Sequence, residues 1–85
     1  MNEAIGITLS RDEALVLFEF FARFDEKDDF TMRNIAEYLA LMRISTQLDK
    51  ALVEPFKPNY IELLNAARER LASGYIGNAP GVVKA

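Results

Sequence analysis

The sequence predicts an all-α protein, a small bundle of three helices. A helix-capping signal at Ser10 and Glu13 precedes a strongly apolar stretch. Apolar residues then recur at spacings of three and four, as on one face of a helix. Pro55 and Pro58 separate the last two periodic stretches, because proline is poorly tolerated inside helices. The predicted helices span residues 11–25, 31–53 and 59–72, and a kink or break in the second is left open.

Length indicates a single domain over residues 1–85, with an extended segment at 1–9 and an irregular tail at 75–85. A chain of 85 residues and 9.6 kDa is too short for two ordinary domains. A domain of this size buries only about two-thirds of the surface that its unfolded chain exposes. The core is therefore thin, and self-association is one route to added stability.

The composition removes most catalytic chemistries. The chain has no cysteine and no histidine, so disulfides, thiolate nucleophiles and the commonest general base are missing. The acidic turn at residues 25–29 lacks the glycine and the alternating carboxylates of a calcium loop. We expect no catalytic residue, no cofactor, no metal site and no enzymatic activity, and no motif indicates a small-molecule substrate.

Charge and hydropathy bear on location and partners. A formal net charge of −3 disfavours nucleic acid and anionic membranes, which both attract positive surfaces. No apolar run reaches the roughly 18 residues of a membrane span. The opening residues 1–4 lack the basic and apolar regions of a signal peptide. A cytoplasmic location is the expectation.

The first ten residues alternate between apolar and polar side chains through Ile5, Ile7 and Leu9. This pattern suits a short strand, but a lone strand has nothing to pair with. We therefore expect an extended lead-in, with Leu9 packing onto the first helix.

The first predicted helix carries an unusually wide apolar surface. Its apolar arc covers roughly 200° of the helical wheel, more than one neighbouring layer buries. Val16 and Phe20 lie on the far edge of this arc, near Phe24. Aromatic residues are enriched in interface cores, so these three residues form the candidate protein interface. The alternative is burial within the chain, with the first helix in the middle of the bundle.

The second predicted helix, capped by Thr31 or Asp29, has two apolar faces that differ in direction. The first half presents Met32, Ile35, Tyr38, Leu39 and Met42. The second half presents Leu41, Ile44, Leu48, Ala51 and Leu52, on a face rotated by about 130°. Either one long helix meets different neighbours along its length, or the helix breaks near residues 44–46. We favour a single helix.

The third predicted helix begins at Pro58 or Asn59. Gly74, a residue suited to a left-handed cap, follows its last residues and terminates it. Tyr75 and Ile76 are expected to fold back onto the core. The predicted core joins Tyr60, Leu64, Ala67 and Leu71 to Leu17, Phe21, Ile35, Leu39 and Met42.

Cations near the third helix raise a second hypothesis, a small DNA-binding regulator. Lys57, Arg68 and Arg70 would have to form one exposed positive face. The proline-bounded connector differs from the short glycine turn of a helix-turn-helix, and Arg near a helix end also complements the helix dipole. Nucleic acid is therefore the less favoured partner.

The stretch from Leu9 to Glu19, Leu-Ser-Arg-Asp-Glu-Ala-Leu-Val-Leu-Phe-Glu, resembles the opening of short uncharacterised bacterial helical proteins. The resemblance covers about the first 25 residues and implies a bacterial origin and a small helical domain. It implies no function, no site residue and no cofactor.

From the apolar arc we predict a non-catalytic protein–protein interaction domain, either a homodimer or an accessory or inhibitor-type partner of another bacterial protein.

Overall fold

A computed structural model describes residues 3–26, 31–77 and 79. Within these residues the chain forms three α-helices and one short 3₁₀ helix, and it contains no β-strand. The predicted all-α bundle of three helices is therefore confirmed. The helices are α1 (Arg11–Glu26), α2 (Ile35–Ala51) and α3 (Tyr60–Ala72), with the 3₁₀ helix at Glu54–Phe56.

The start of α1 is set by the capping box that the sequence indicated. The Glu13 amide donates to Ser10 Oγ at 3.0 Å, and the Ser10 amide donates to Glu13 Oε1 at 2.8 Å. These two hydrogen bonds provide acceptors for two backbone amides that have no partner within the helix. Asp12 and Glu13 also place negative charge where the helix dipole favours it.

The start of α2 differs from the expectation, because Asn34 is its N-cap. Asn34 Oδ1 accepts a hydrogen bond from the Ala36 amide at 2.8 Å. Thr31 is not helical, so the predicted start at residue 31 is four residues too early. Asn is among the strongest N-cap residues, which explains why it prevails over Thr. The other predicted cap, Asp29, lies outside the described residues.

The single, unbroken α2 confirms that the second helix is continuous, but it spans residues 35–51 and not the predicted 31–53. Thr46 Oγ1 donates to the Met42 carbonyl at 2.9 Å, the usual fate of a hydroxyl within a helix. The helix ends at Ala51, where Leu52 adopts an extended backbone and its amide closes the last turn on the Leu48 carbonyl at 3.1 Å.

The end of α3 matches the prediction, whereas the residues after it do not. Gly74 has φ +82°, the left-handed conformation that favours glycine after a helix. Tyr75 and Ile76 are exposed, so the expectation that they fold back onto the core is wrong. The Tyr75 amide donates to the Ala72 carbonyl at 3.1 Å and closes one further turn after α3.

The core lies between α1 and its two neighbours, since α1 packs against both α2 and α3. Its members are Leu15, Phe21, Phe24, Leu48, Leu52, Leu64 and Ala67. Phe21, Leu64 and Ala67 confirm the prediction, and Leu17, Met42 and Tyr60 pack against this core while remaining partly exposed. Ala67 is fully buried, and its small side chain lets α3 approach α1 closely.

Three other predicted core residues are on the surface. Ile35 is 70% exposed, Leu39 is 56% exposed, and Leu71 is about half exposed. The prediction chose the first-half face of α2, but the bundle uses the second half through Leu48 and Leu52. Because the two faces differ in direction on one continuous helix, the first-half face meets the bundle only at its edge, through Tyr38 and Met42.

A matched pair of truncations distinguishes the core from this exposed face. Leu64→Ala should lower the free energy of unfolding by about 2–5 kcal/mol, because it opens a cavity among buried side chains. Leu39→Ala should change it by less than about 0.5 kcal/mol, since the side chain is exposed and Ala favours helix. Chemical denaturation measures both. Equal losses would contradict the packing described for α2.

The capping box leads to a second prediction, which concerns the free energy of unfolding. Ser10→Ala should cost about 1 kcal/mol, because it leaves the Glu13 amide without its acceptor. Ser73→Ala, at the C-terminal end of α3, is the control and should change stability by less than about 0.5 kcal/mol. Thermal unfolding monitored by helical circular dichroism compares them, and an unchanged midpoint for Ser10→Ala would contradict the cap's role.

Candidate interaction surfaces

The predicted interface residues of α1 are largely covered by the chain itself. Phe24 is only 8% exposed and stacks against Tyr38 with ring centroids 6.1 Å apart. Its assignment to the surface is therefore corrected: Phe24 belongs to the interior. Val16 and Phe20 are half-buried against the core. Contact of these two with a partner stays a prediction.

One apolar surface left open lies on the first half of α2. We call Ile35, Tyr38, Leu39 and Met42 the α2 stripe. Their spacing of i, i+3, i+4 and i+7 places them on one face of the helix. Ile35 and Leu39 are the most exposed, while Tyr38 and Met42 are covered more fully. This spacing is also that of a core face, which is why the sequence alone assigned it to the core.

A second open apolar surface involves residues 3–9, which we call the N-terminal arm. The arm has no regular secondary structure, and it lines a groove together with residues of α1 and α2. Ile5 is 89% exposed and Ile7 is 78% exposed, whereas Leu9 is about one-third exposed. Leu9 and Ala14 line the same groove, and the packing of Leu9 onto α1 stays a prediction.

Two bidentate ion pairs tie the N-terminal end of α1 to the connector and to α3. Arg11 donates to both carboxylate oxygens of Glu54, at 3.0 and 2.8 Å, and so joins α1 to the connector. Arg70 of α3 donates to both oxygens of Asp12 at 2.9 Å. The hydrogen bond from Arg11 is the main cause that lowers the pKa of Glu54 to about 2. Arg70 likewise lowers the pKa of Asp12.

Tyr60 forms a polar contact at the edge of the core. Its hydroxyl donates to Glu19 Oε1 at 2.9 Å, and its ring meets Phe18 edge to face at 6.5 Å. Burial, followed by the hydrogen bond to Glu19, raises the pKa of Tyr60 to about 12. The neutral phenol is therefore a donor at any physiological pH, and it holds α3 to α1.

The cations of the DNA-binding hypothesis have different surroundings. Arg70 is paired with Asp12, so its charge is compensated within the fold. Arg68 Nη1 lies 3.4 Å from Asn65 Oδ1 on the same helix, and Lys57 is exposed in the connector. One of the three residues predicted to contact DNA is thus already paired with a carboxylate. DNA binding stays a prediction without added support.

The described residues hold no group of three or more Asp and Glu side chains placed to bind a metal ion. In the same part of the chain, no helix has the length and apolar character needed to cross a membrane. No protein-family model, no curated protein and no solved structure matches the chain. The open apolar surfaces are therefore the features of the molecule that bear on its function.

The Arg11–Glu54 pair predicts a pH dependence of stability. Because folding lowers the pKa of Glu54 from its ordinary 4.5 to about 2, the ionised carboxylate stabilises the fold above about pH 4.5. This contribution is lost as the pH falls through about 2. Glu54→Gln cannot titrate, so its stability should fall less steeply with acid in thermal unfolding between about pH 6 and pH 2.

The control for this measurement is Glu69→Gln, which removes one charge from the exposed side of α3 and leaves the Arg11–Glu54 pair intact. It should keep the wild-type dependence on pH. The same flattening in both variants would mean that net charge, and not this pair, governs the acid response.

Proposed function

We propose that the protein is a non-catalytic interaction domain that binds another polypeptide through the α2 stripe. The observation that supports this most directly is the exposure of Ile35 and Leu39 on an ordered helix. Apolar side chains scattered singly over a surface need no explanation, but four at helical spacing make one continuous face.

The chemistry of the stripe suits insertion into a groove. An amphipathic helix that docks in an apolar groove presents anchors at i, i+3, i+4 and i+7, the spacing of the α2 stripe. Arg43 is exposed beside Leu39 and Met42 on the surface of α2. The fitting partner is thus a protein with an apolar groove and an acidic rim, which would meet this guanidinium.

The stripe is held ready for binding, which lowers the cost of association. Asn34 and the Ala36 amide cap the helix at the end where the stripe begins. The ring of Tyr38 contacts the ring of Phe24, which is itself buried. Since these contacts order the helix before any partner arrives, less conformational entropy is lost on binding.

The biological setting is part of the proposal. The resemblance of residues 9–19 favours a bacterial source and, with it, a role as an accessory or inhibitor-type partner of another bacterial protein in the cytoplasm. The α2 stripe alone covers about two turns of helix, well short of the roughly 20–30 residues a side of a standard interface. A partner groove that wraps around α2 would supply the remaining contacts.

A double substitution tests the α2 stripe without weakening its helix. Ile35→Glu with Leu39→Lys removes the two most exposed anchors and adds a favourable Glu–Lys pair at i and i+4. A partner retained by the immobilised wild-type protein from a bacterial lysate should be lost, with at least a tenfold weaker affinity once that partner is purified. Circular dichroism should show unchanged helix.

The matched control makes the same charge change on α3. Ile61→Glu with Asn65→Lys introduces the same residue types at exposed positions four apart, away from the α2 stripe. This variant should retain the partner. If every protein retained by the wild type is retained equally by both double variants, the α2 stripe is not the binding surface and the proposal fails.

A further inference from the structure

Met42 of α2 has one side against the core and another side open to solvent. Its side chain is partly exposed and packs against the buried core cluster. On its open side it lines a surface depression together with Leu39, Arg43, Thr46 and Gln47. Small solutes therefore reach this side chain, and a chemical change to its thioether would alter a contact with the core.

All the sulfur of the protein is in methionine. The chain has no cysteine, and its three methionines stand at positions 1, 32 and 42. Met1 lies outside the described residues. Met32 is partly exposed, but it precedes α2 and is not among the described residues that pack against the core. An oxidant that usually reacts first with cysteine thiolates therefore meets only thioethers in this protein.

We propose that Met42 is a site of reversible oxidation by hydroperoxides, and that its oxidation weakens the packing of α2 against the core. In this reaction Met42 Sδ attacks one peroxide oxygen, so that an S–O bond forms and the O–O bond breaks. The leaving oxygen takes the proton of the transferred hydroxyl and departs as water, or as an alcohol when the peroxide is organic. The thioether is oxidised by two electrons to the sulfoxide, and the peroxide is reduced.

The sulfoxide does not suit the buried side of Met42. Its oxygen is a hydrogen-bond acceptor, and burying an unpaired polar group is costly. Among the described residues every buried side-chain polar atom already has a partner, so the core offers no spare side-chain donor. On the open side, water and the exposed Arg43 guanidinium are donors. The oxidised side chain should therefore turn outward and leave the core.

The first half of α2 has few other contacts with the bundle. Within α2, all of whose residues are described, Leu48 alone is buried. Before Leu48, the contacts are those of partly buried side chains: Leu41 and Met42 pack against the core, and the Tyr38 ring lies against Phe24. Loss of the Met42 contact therefore removes a substantial part of what holds this half of the helix.

Oxidation has a second consequence, which rests on the proposed function. Met42 is a member of the α2 stripe, so the sulfoxide replaces one of its four apolar anchors with a polar group. A partner that binds the α2 stripe should bind the oxidised protein less tightly. The effect on stability needs no partner and is the part that the first experiment measures.

Peroxide treatment of the purified full-length protein is that experiment. Peptide mass spectrometry should find one added oxygen atom on Met42, and the midpoint of thermal unfolding should fall by about 4–8 °C. The two methionine sulfoxide reductases, one for each epimer, should restore the mass and the midpoint. A Met42 that stays unmodified while Met32 is oxidised overturns the proposal, and so does a Met42 sulfoxide with an unchanged midpoint.

Matched variants assign the effect to one methionine. Met42→Leu nearly conserves volume and apolar character, so it should fold normally and keep its midpoint after peroxide treatment. Met32→Leu is the control and should lose stability as the wild type does. Met42→Gln places a polar group at the same position and should lower the midpoint without peroxide. A loss on peroxide treatment that persists in Met42→Leu overturns the assignment to Met42.

The double variant of the α2 stripe separates this inference from the proposed function. Ile35→Glu with Leu39→Lys keeps Met42, so its midpoint should still fall on peroxide treatment. If oxidation lowers the midpoint but the double variant retains every partner, the proposed function fails and the inference holds. If the double variant loses the partner but oxidation of Met42 leaves the midpoint unchanged, the inference alone fails.

Discussion

The packing of α1 between two helices is the constraint on which the rest of this structure depends. An apolar arc as wide as that of α1 is not buried by one neighbour, so the bundle closes only if α2 and α3 approach α1 from different sides. Leu15, Phe21 and Phe24 are buried in this way. Ala67, with no exposed surface, lets α3 pack closely. Most of the apolar arc that suggested an interface with another protein is therefore buried or partly buried within this chain.

This arrangement decides what α2 is able to offer a partner. Because Leu48 and Leu52 at its C-terminal end join the core, α2 directs most of its first-half face away from the bundle. Ile35 and Leu39 are thus left in solvent by the same packing that stabilises the bundle. An open apolar face therefore lies on α2, whereas the sequence predicted one on α1.

Ion pairs at the edge of the bundle stabilise this arrangement. The charged groups that they pair are then not free to bind a ligand. Arg11 pairs with Glu54 and Arg70 pairs with Asp12, so the N-terminus of α1 is tied to the connector and to the last turn of α3. Exposed ion pairs contribute little individually, but bidentate geometry fixes orientation. With Arg70 engaged in this way, the acidic protein presents less positive surface than its sequence suggests.

The sequence by itself determined the local structure: the capping box at Ser10, the proline-bounded connector, the glycine that ends α3, and the number of helices. These depend on residues close together along the chain. Tertiary structure alone decided which face of α2 is buried, that Phe24 is internal, and that the arm borders an empty groove. Apolar spacing is identical on a core face and a binding face, so only the positions of the neighbouring helices distinguish them.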